Sequence, residues 1–263
     1  MQGYLYLLFL NISDFDFDII SFLVNNLFNL FLLSISFFSL LFKFNLQLFI
    51  YMNTESFYDL IADEFDKTRV RLWNCVTSFL DLFPSNSKIL DIGCGNGKYM
   101  NYRIDLIMKG IDISSKLVEI CNNKGFDVIK ASMTNIPFSD NSFDGIICIA
   151  SYHHLDNDED RKTTLNEIYR ILKYNGIAFI EVWGKEQIDK CNKNANDFKE
   201  KSNLVKWTSI KTGNIYYRYY NIYSKGELEE EILKFKPEFS IINSGYEKGN
   251  YYVKIKKSYP NDV

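Results

Sequence analysis

The sequence predicts an α/β protein with a Rossmann-like, doubly wound sheet of seven strands, mostly parallel with one antiparallel strand. Three observations predict this class. Short apolar runs alternate with amphipathic helical stretches, two of those runs end in an acidic residue, and one of them breaks into a glycine-rich turn. The chain has 263 residues, which is long enough for one such domain with extensions.

Apolar runs mark five parallel strands, predicted at 88–92, 108–113, 126–131, 143–150 and 177–183. Amphipathic spacing predicts helices at 56–67, 71–83, 115–124, 158–173 and 227–235, and one more that begins near Gly97. The segments 240–244 and 251–256 flank a turn with two glycines. This pattern predicts a β-hairpin, which brings the sheet to seven strands and supplies the antiparallel one.

Residues 1–51 differ in composition from the rest, so we divide the chain into this hydrophobic, low-complexity extension and a domain at 52–263. Of the 51 residues, 29 are Phe, Leu or Ile, and the only charged ones are Asp14, Asp16, Asp18 and Lys43. The uncharged run 19–42 reaches the ~20 residues that a membrane span needs. Three interpretations stay open: a segment that is not translated, which we favour because Met52 begins ordinary composition, a membrane segment, or a partner-binding or disordered extension.

Charge and cysteine content exclude several classes of protein. The net charge is −3 and the isoelectric point is near 5.6, which argues against a protein that binds nucleic acid over its whole surface. The five cysteines form no Cys-x-x-Cys pair, and the two histidines are adjacent. We therefore expect no disulfide framework and no metal site, and predict a cytoplasmic protein, with the nucleus as a second compartment.

The glycine-rich turn after the first strand is the strongest local signal. Asp91 ends the strand and precedes Gly93, Gly95 and Gly97, which let the backbone approach a ligand closely. A second short strand ends at Asp112, where a carboxylate can accept hydrogen bonds from both ribose hydroxyls. These features predict a nucleoside pocket at the carboxyl ends of a parallel sheet.

Two details favour a methyl donor over a dinucleotide. Asp91 stands where dinucleotide-binding folds usually keep an apolar residue, and Lys98 replaces the small residue that packs the following helix closely. Nothing nearby selects for a pyrophosphate, whereas a carboxylate at this position suits an ammonium group. S-adenosyl-L-methionine has an ammonium and a ribose but no phosphate, so we expect it as the cofactor.

Three segments resemble class I methyltransferases: Asp-Ile-Gly-Cys-Gly-Asn-Gly-Lys-Tyr at 91–99, Asn-Ile-Pro-Phe-Ser-Asp-Asn-Ser-Phe-Asp at 135–144, and His-His-Leu at 153–155. More narrowly, the chain resembles the tRNA methyltransferases that esterify 5-carboxymethyluridine at the wobble position, a domain fused in some organisms to an AlkB-like dioxygenase. The narrower likeness rests on segments 58–62, 68–73, 182–187, 218–228 and 249–253.

This resemblance implies a set of site residues. Those expected to bind the cofactor are Tyr58, Asp91, Gly93, Cys94, Gly95, Gly97, Asp112, Ile113, Ser132, Met133 and Ser151. Those expected to act on the substrate are Arg69, His153, Trp183, Arg218 and Tyr220. The chain departs from the family pattern at Ser132, where relatives often carry Asp, at Val70 and Leu72, and at Asn221, where His is common.

A carboxylate acceptor is already ionised near neutral pH, so its methylation needs positioning and desolvation rather than a strong base. Arg69 and Arg218 are candidates for binding that carboxylate or a flanking phosphate, and Trp183 for stacking on uracil. Each has a structural alternative as a surface charge, a loop contact or core packing. The alternative functions are a methyltransferase for a small-molecule or protein carboxylate and a non-catalytic cofactor-binding subunit.

The resemblance also implies two partners, the tRNA anticodon loop and a small zinc-containing activator subunit. In the predicted topology the third strand lies at a sheet edge, where Val128 and Ile129 would offer an apolar surface for strand pairing. We expect the activator to cover this edge.

Overall fold

The computed structural model describes residues 52–186 and 202–259. The extension at 1–51 and the motif residue Gln187 lie outside the described residues. Within the described part of the chain, no helix is long and apolar enough to cross a lipid bilayer.

Five helices and nine strands make up the described domain. The helices are α1 (Thr54–Thr68), α2 (Asn74–Leu80), α3 (Ser115–Asn123), α4 (Asp158–Ile171) and α5 (Glu227–Phe235). The strands are β1 (Lys88–Ile92), β2 (Ile107–Asp112), β3 (Val128–Lys130), β4 (Phe143–Ile149), β5 (Leu172–Trp183), β6 (Ser202–Thr208), β7 (Ile215–Asn221), β8 (Phe239–Glu247) and β9 (Asn250–Lys257). A short 3₁₀ helix covers Tyr152–His154.

The main sheet has seven strands in the order β3-β2-β1-β4-β5-β9-β8. β1 to β5 pair in parallel, and β9 runs antiparallel to both of its neighbours. The predicted fold class is therefore confirmed, including the single antiparallel strand. Because β1 is the middle one of the five parallel strands, the turn that follows it opens at the middle of their carboxyl edge, where ligands of open α/β sheets bind.

Both faces of the sheet are buried, as parallel sheets require. Leu90, Ile146 and Ile180 point to one face and pack with α4 and α5, whereas Ile89 and Ile147 point to the other face and pack with α2. The alternation along β1 and β4 divides the core into two layers. The turns at the carboxyl ends of these strands therefore rest on a rigid support.

Several predicted boundaries were wrong. α2 covers seven residues of the predicted 71–83, and β5 begins at Leu172, where the helix at 158–173 had been expected to continue. No helix begins near Gly97: the amides of Gly97, Met100 and Tyr102 bond to carbonyls three residues earlier, which is a run of turns. Gly97 has φ of 74°, so a right-handed helix cannot pass through it.

Strands β6 and β7 were not predicted, and they form a separate two-stranded antiparallel hairpin. β7 carries Arg218 and Tyr220, which were expected to act on the substrate. The side chains of Val205, Trp207, Arg218 and Tyr220 share one face, since β6 and β7 pair Val205 with Arg218. This hairpin contributes to the site described below.

A buried polar network fixes the end of β7. Asn221 Nδ2 donates to the hydroxyl of Tyr223 (2.9 Å), which donates to Glu231 Oε1 (2.8 Å). Glu231 Oε2 lies 3.2 Å from Arg161 Nε, and both side chains are buried. Asn221, flagged as a departure from the family pattern, is therefore part of the core rather than of the site.

We predict that Glu231→Ala lowers the free energy of unfolding by about 3 kcal/mol, because among the described residues it leaves the buried Arg161 guanidinium with only Asp158, an exposed carboxylate, as an ion-pair partner. Urea unfolding measures this change as a shift of the midpoint at constant slope. Glu230→Ala, an exposed position on the same helix, should change stability by less than about 0.5 kcal/mol. Equal effects of the two substitutions would contradict the buried network.

Candidate active site

One cavity of about 400 Å³ opens at the carboxyl ends of β1, β2, β4 and β5. It is lined by α1, the glycine-rich turn, the loops after β2, β3 and β4, and β7 of the hairpin. Most of the predicted site residues line it: Tyr58, Arg69, Asp91, Gly93, Cys94, Gly95, Asp112, Ile113, Ser132, Met133, Ser151, Trp183, Arg218 and Tyr220. Gly97 and His153 do not line the cavity.

The glycine turn needs its first glycine for two reasons. Gly93 has φ of 67°, and a Cβ there would lie 2.4 Å from Cβ of Ser151. The Ser151 hydroxyl donates to the Ile92 carbonyl (2.9 Å), which locks the loop after β4 against the turn. Any side chain at Gly93 would therefore clash with Ser151 and displace it.

Asp112 ties the glycine turn to the start of α3. Its Oδ2 accepts from the Gly95 amide (2.8 Å) and its Oδ1 accepts from the Ser114 amide (2.9 Å). Burial nevertheless raises the pKa of Asp112 to about 6. Each carboxylate oxygen has a second lone pair, so Asp112 can still accept hydrogen bonds from a ligand in the cavity.

Asp91 is a second buried carboxyl at this end of the cavity. Burial raises its pKa to about 7, and the Lys98 ammonium opposes that shift. No ion pair to Asp91 occurs among the described residues. Buried carboxylates usually have a cation or several amides as partners, so this one is suited to a positively charged ligand.

Arg218 is the main cation at the opposite wall. Its side chain is 5% exposed, its Nε donates to the Tyr220 hydroxyl (2.6 Å), and its Nη1 is buried without a hydrogen-bond partner in the described residues. The rings of Phe57, Tyr58, Trp207 and Tyr220 surround the guanidinium at 4.8–5.9 Å. Aromatic rings hold a guanidinium in place but do not neutralise it.

His154 and Tyr58 form a neutral hydrogen-bonded chain beside Arg218. His154 Nδ1 lies 3.1 Å from the Tyr219 carbonyl, which can only accept, so Nδ1 carries the proton. Nε2 must then accept from the Tyr58 hydroxyl, 2.8 Å away. Burial and the Arg218 charge lower the pKa of His154 to about 3, so His154 stays neutral at physiological pH.

His153, the predicted site histidine, is fully buried behind the cavity wall. Its Nδ1 accepts from the Trp183 amide (3.2 Å), and its ring stacks on Tyr220 at 4.6 Å. Burial lowers its pKa well below the usual value. His153 therefore supports Tyr220 and Trp183, while its neighbour His154 lines the cavity.

Gly97 packs away from the cavity, because a Cβ there would lie 2.8 Å from the Phe126 ring. The sequence did not predict that the side chains of Trp73, Lys98 and Tyr99, among others, line the cavity. The Lys98 ammonium lies 4.0 Å from the Trp73 ring centre and 4.7 Å from that of Tyr99. The position of Lys98 directly after the third glycine was the available signal.

No cluster of three or more His, Cys, Asp or Glu side chains that would hold a metal ion occurs among residues 52–186 and 202–259.

The sheet order and the position of the cavity define the class I methyltransferase fold. The chain matches the PH0226 protein of Pyrococcus horikoshii with a TM-score of 0.61 and 17% identity, over 77% of this chain and 99% of that one. It matches a chain of the complex between the Haloferax volcanii Trm112 methyltransferase activator and the putative methyltransferase with a TM-score of 0.58 and 15% identity, over 78% of this chain and 97% of that one. A family model described as a methyltransferase domain matches residues 90–180.

Sequence relatives narrow the class. A tRNA (carboxymethyluridine(34)-5-O)-methyltransferase of Schizosaccharomyces pombe is 33% identical over 76% of this chain and 94% of its own length. Proteins of the same description from Arabidopsis thaliana and Xenopus tropicalis are 40% and 30% identical, over 58% and 76% of this chain. The chain belongs to the tRNA carboxymethyluridine methyltransferase family. It spans 35% and 40% of the length of the plant and frog relatives.

S-adenosylmethionine is the cofactor of this family, and the residues present fit it. Asp91 has no counter-ion among the described residues and suits the ammonium group of the cofactor. Asp112 retains free lone pairs for ribose hydroxyls. Gly93 has no side chain, so a ligand can approach the backbone there closely. Ser132, which replaces the acid often found in relatives, lines the cavity, and its hydroxyl lies 2.8 Å from the Thr134 hydroxyl.

We predict that cofactor affinity depends on the ionisation of Asp91. In the free protein its pKa is raised to about 7, and an ammonium ligand binds the ionised form. The dissociation constant of S-adenosylhomocysteine should therefore rise as the pH falls below 7, by up to about tenfold per unit, and level off above pH 7. Isothermal titration from pH 5.5 to 8.5 measures this dependence.

Asp91→Asn should bind the ligand more weakly and remove most of this pH dependence, leaving the part due to Asp112. Asp63→Asn, an exposed position on α1, should behave as the parent protein. A dissociation constant that stays unchanged across the whole range in the parent protein would contradict the assignment of Asp91.

Proposed function

We propose that this chain transfers a methyl group from S-adenosylmethionine to the carboxylate of 5-carboxymethyluridine at the wobble position of tRNA. The observation that carries this proposal is the Arg218 guanidinium, which is buried, faces the cavity and has one nitrogen with no hydrogen-bond partner among residues 52–186 and 202–259. A buried charge without a counter-ion is costly, and such a site is completed by an anionic ligand. The family to which the chain belongs supports the identity of that anion.

The cavity has opposite charges at its two walls, with Asp91 and Asp112 at one and Arg218 at the other. S-adenosylmethionine, which Asp91 and Asp112 would hold, would supply an electrophilic methyl group to one carboxylate oxygen; its carbon–sulfur bond would break, and the products would be the methyl ester and S-adenosylhomocysteine. Arg218 would bind the other carboxylate oxygen and orient the first. Trp183 and Tyr220, whose rings lie 4.5 Å apart, would contact the uracil ring.

No proton has to move in this reaction. The acceptor is ionised, and neither histidine beside Arg218 is positioned as a base, because His154 donates to a carbonyl through Nδ1 and His153 is buried. Desolvation and in-line positioning then supply the rate enhancement.

We predict that Arg218→Met lowers kcat/KM for tRNA bearing 5-carboxymethyluridine by about 10-fold to 200-fold, because one charge-assisted contact to the substrate is lost. Liquid chromatography–mass spectrometry of nucleosides from the treated tRNA measures the methyl ester. Cofactor affinity should not change, because Arg218 lies at the opposite wall from Asp91.

The same variant separates function from stability. Removing a buried guanidinium that has no counter-ion in the described part of the chain should leave Tm unchanged or raise it, whereas removing a structural arginine would lower it. Lys206→Met, an exposed position on β6, serves as the matched control. Full methylation by Arg218→Met would reject the role of Arg218, and unmodified tRNA after treatment with the parent protein would reject the proposed reaction.

We also predict a kcat that changes by less than about twofold between pH 6 and 9 when cofactor and tRNA are saturating. The acceptor carboxyl, with an ordinary pKa near 4, is ionised throughout this range, and His154 has a pKa of about 3. Single-turnover rates measured from pH 6 to 9 test this expected pH independence. A rate that rises with a midpoint near pH 6.5 would indicate a histidine acting as general base.

The proposal includes a small zinc-containing activator subunit that covers the free edge of β3. β3 lies at the end of the sheet order, and Ile129 on it is 37% exposed. Val128, which was expected to share this surface, is only 3% exposed because it packs into the core with Cys94 and Val118. The apolar part of the edge is therefore smaller than expected. Full activity of a monodisperse preparation without a partner would reject this subunit.

Two alternative functions remain outcomes of the same assays. Methylation of a small-molecule or protein carboxylate, with tRNA unchanged, would favour a different acceptor for the same site. A protein that binds no S-adenosylmethionine would be a non-catalytic subunit that retains the fold. A cytoplasmic location stays a prediction.

A further inference from the structure

The indole ring of Trp207 lies between two guanidinium groups from distant parts of the chain. Cζ of Arg69, in the turn after α1, is 5.7 Å from the ring centre, and Cζ of Arg218, on β7, is 5.2 Å from it. Both distances fall within the range of cation–π attraction. Two like charges are thus held on one aromatic ring.

Trp207 reaches this place through the register of the hairpin. β6 and β7 pair Val205 with Arg218 and Trp207 with Tyr216, so Trp207 and Arg218 are diagonal neighbours on the same face. The Phe57 ring of α1 contacts Trp207 edge-on at 6.4 Å. The ring is therefore fixed from the hairpin and from α1.

A separate contact anchors the tip of the hairpin to α1. Glu64 accepts hydrogen bonds from the Ser209 hydroxyl (2.6 Å) and from the amides of Ile210 (2.9 Å) and Lys211 (3.3 Å). These bonds involve neither arginine. The relation between α1 and the hairpin therefore does not depend on Trp207 alone, and a substitution at Trp207 should leave the hairpin in place.

Trp207 itself does not line the cavity, and its Nε1 is buried without a hydrogen-bond partner in the described residues. It is therefore placed to act through the two arginines rather than by touching a substrate. Arg218 is buried inside the cavity, whereas Arg69 lines the cavity but is exposed to solvent. The pair thus presents one cation deep in the site and one near its mouth.

We propose that Trp207 is a positioning residue that holds Arg218 for the carboxylate of the modified base and Arg69 for a phosphate of the same RNA strand. This inference rests on the proposed function. It requires a substrate with two anions at different depths, which a nucleotide carrying a carboxylate in a polynucleotide chain provides. Arg69 contributes a sequence-independent phosphate contact, and Arg218 contributes the selectivity for the modified base.

The test uses the full chain, with any subunit that it retains on purification, saturated with S-adenosylhomocysteine. The RNA probes are two anticodon stem-loops that differ only in carboxymethyluridine or uridine at the wobble position. We compare Trp207→Leu, Trp207→Phe and Leu204→Ala, the last being an exposed position on the outer face of β6. Binding is measured between 50 and 300 mM salt.

Trp207→Leu should weaken binding of the carboxymethyluridine probe by about 10-fold to 100-fold, from the loss of two cation–π contacts. It should bring the two probes to similar affinity and reduce the magnitude of the log–log salt slope by about one, the signature of one lost phosphate contact. Trp207→Phe should stay within about threefold of the parent, because it keeps a ring. Leu204→Ala and the affinity for S-adenosylhomocysteine should not change.

A triple variant separates positioning from a general structural effect. If Trp207 acts through the arginines, Trp207→Leu should have no further effect in an Arg69→Met, Arg218→Met background. The inference is overturned if Trp207→Leu binds both probes as the parent does, or if it weakens binding equally in that background. Failure of the parent protein to bind S-adenosylhomocysteine or to prefer the modified probe would instead reject the proposed function.

Discussion

A buried guanidinium that has no counter-ion within the part of the chain that the structure describes is the constraint around which the site is organised. Arg218 is surrounded by aromatic rings, and the two histidines next to it are kept neutral. A protonated histidine beside Arg218 would add a second positive charge at a buried position, so its neutral form is favoured. In the free protein, packing against the aromatic rings offsets the free-energy cost of burying the Arg218 charge. An anionic substrate would give this charge the ion pair that it lacks among the described residues.

The opposite wall of the cavity has the inverse arrangement. Asp91 and Asp112 are buried carboxyls with raised pKa values, supported by the turn amides and the Lys98 ammonium. The cavity is therefore polarised before any ligand enters, with an acidic end for the ammonium of the cofactor and a basic end for the acceptor. Such a preorganised field lowers the reorganisation needed when the methyl group moves.

The two ends are built from different kinds of structure. The acidic end lies on β1 and β2, two neighbouring parallel strands of the main sheet, and the layers of apolar side chains on that sheet fix it. The basic end lies on α1 and the β6–β7 hairpin, which are joined by Glu64 and by the ring contacts of Trp207. The general fold thus carries the cofactor site, and the added hairpin carries the groups that would select the acceptor.

This division explains what the sequence could predict. β1 and α5 were predicted at their observed bounds, and the glycine turn was recognised, because local periodicity and glycine spacing determine them. The hairpin was missed because its buried face packs on α1, a long-range contact that leaves little local pattern. His153 was predicted because it follows the carboxyl end of the fourth strand, where active-site residues of open α/β sheets gather. The 3₁₀ turn, closed by the His154 amide on the Ser151 carbonyl, turns only His154 toward the cavity. Trp207 has no neighbouring motif to mark it.

The central claim is that the acceptor is a carboxylate held at Arg218. It is tested most directly by transferring a labelled methyl group to tRNA and then treating the RNA with mild alkali. An ester releases the label as volatile methanol, whereas a methyl group on a base nitrogen, a base carbon or a ribose oxygen stays with the RNA. We predict that essentially all of the label is released and that Arg218→Met incorporates far less of it. Label that resists alkali would contradict the account.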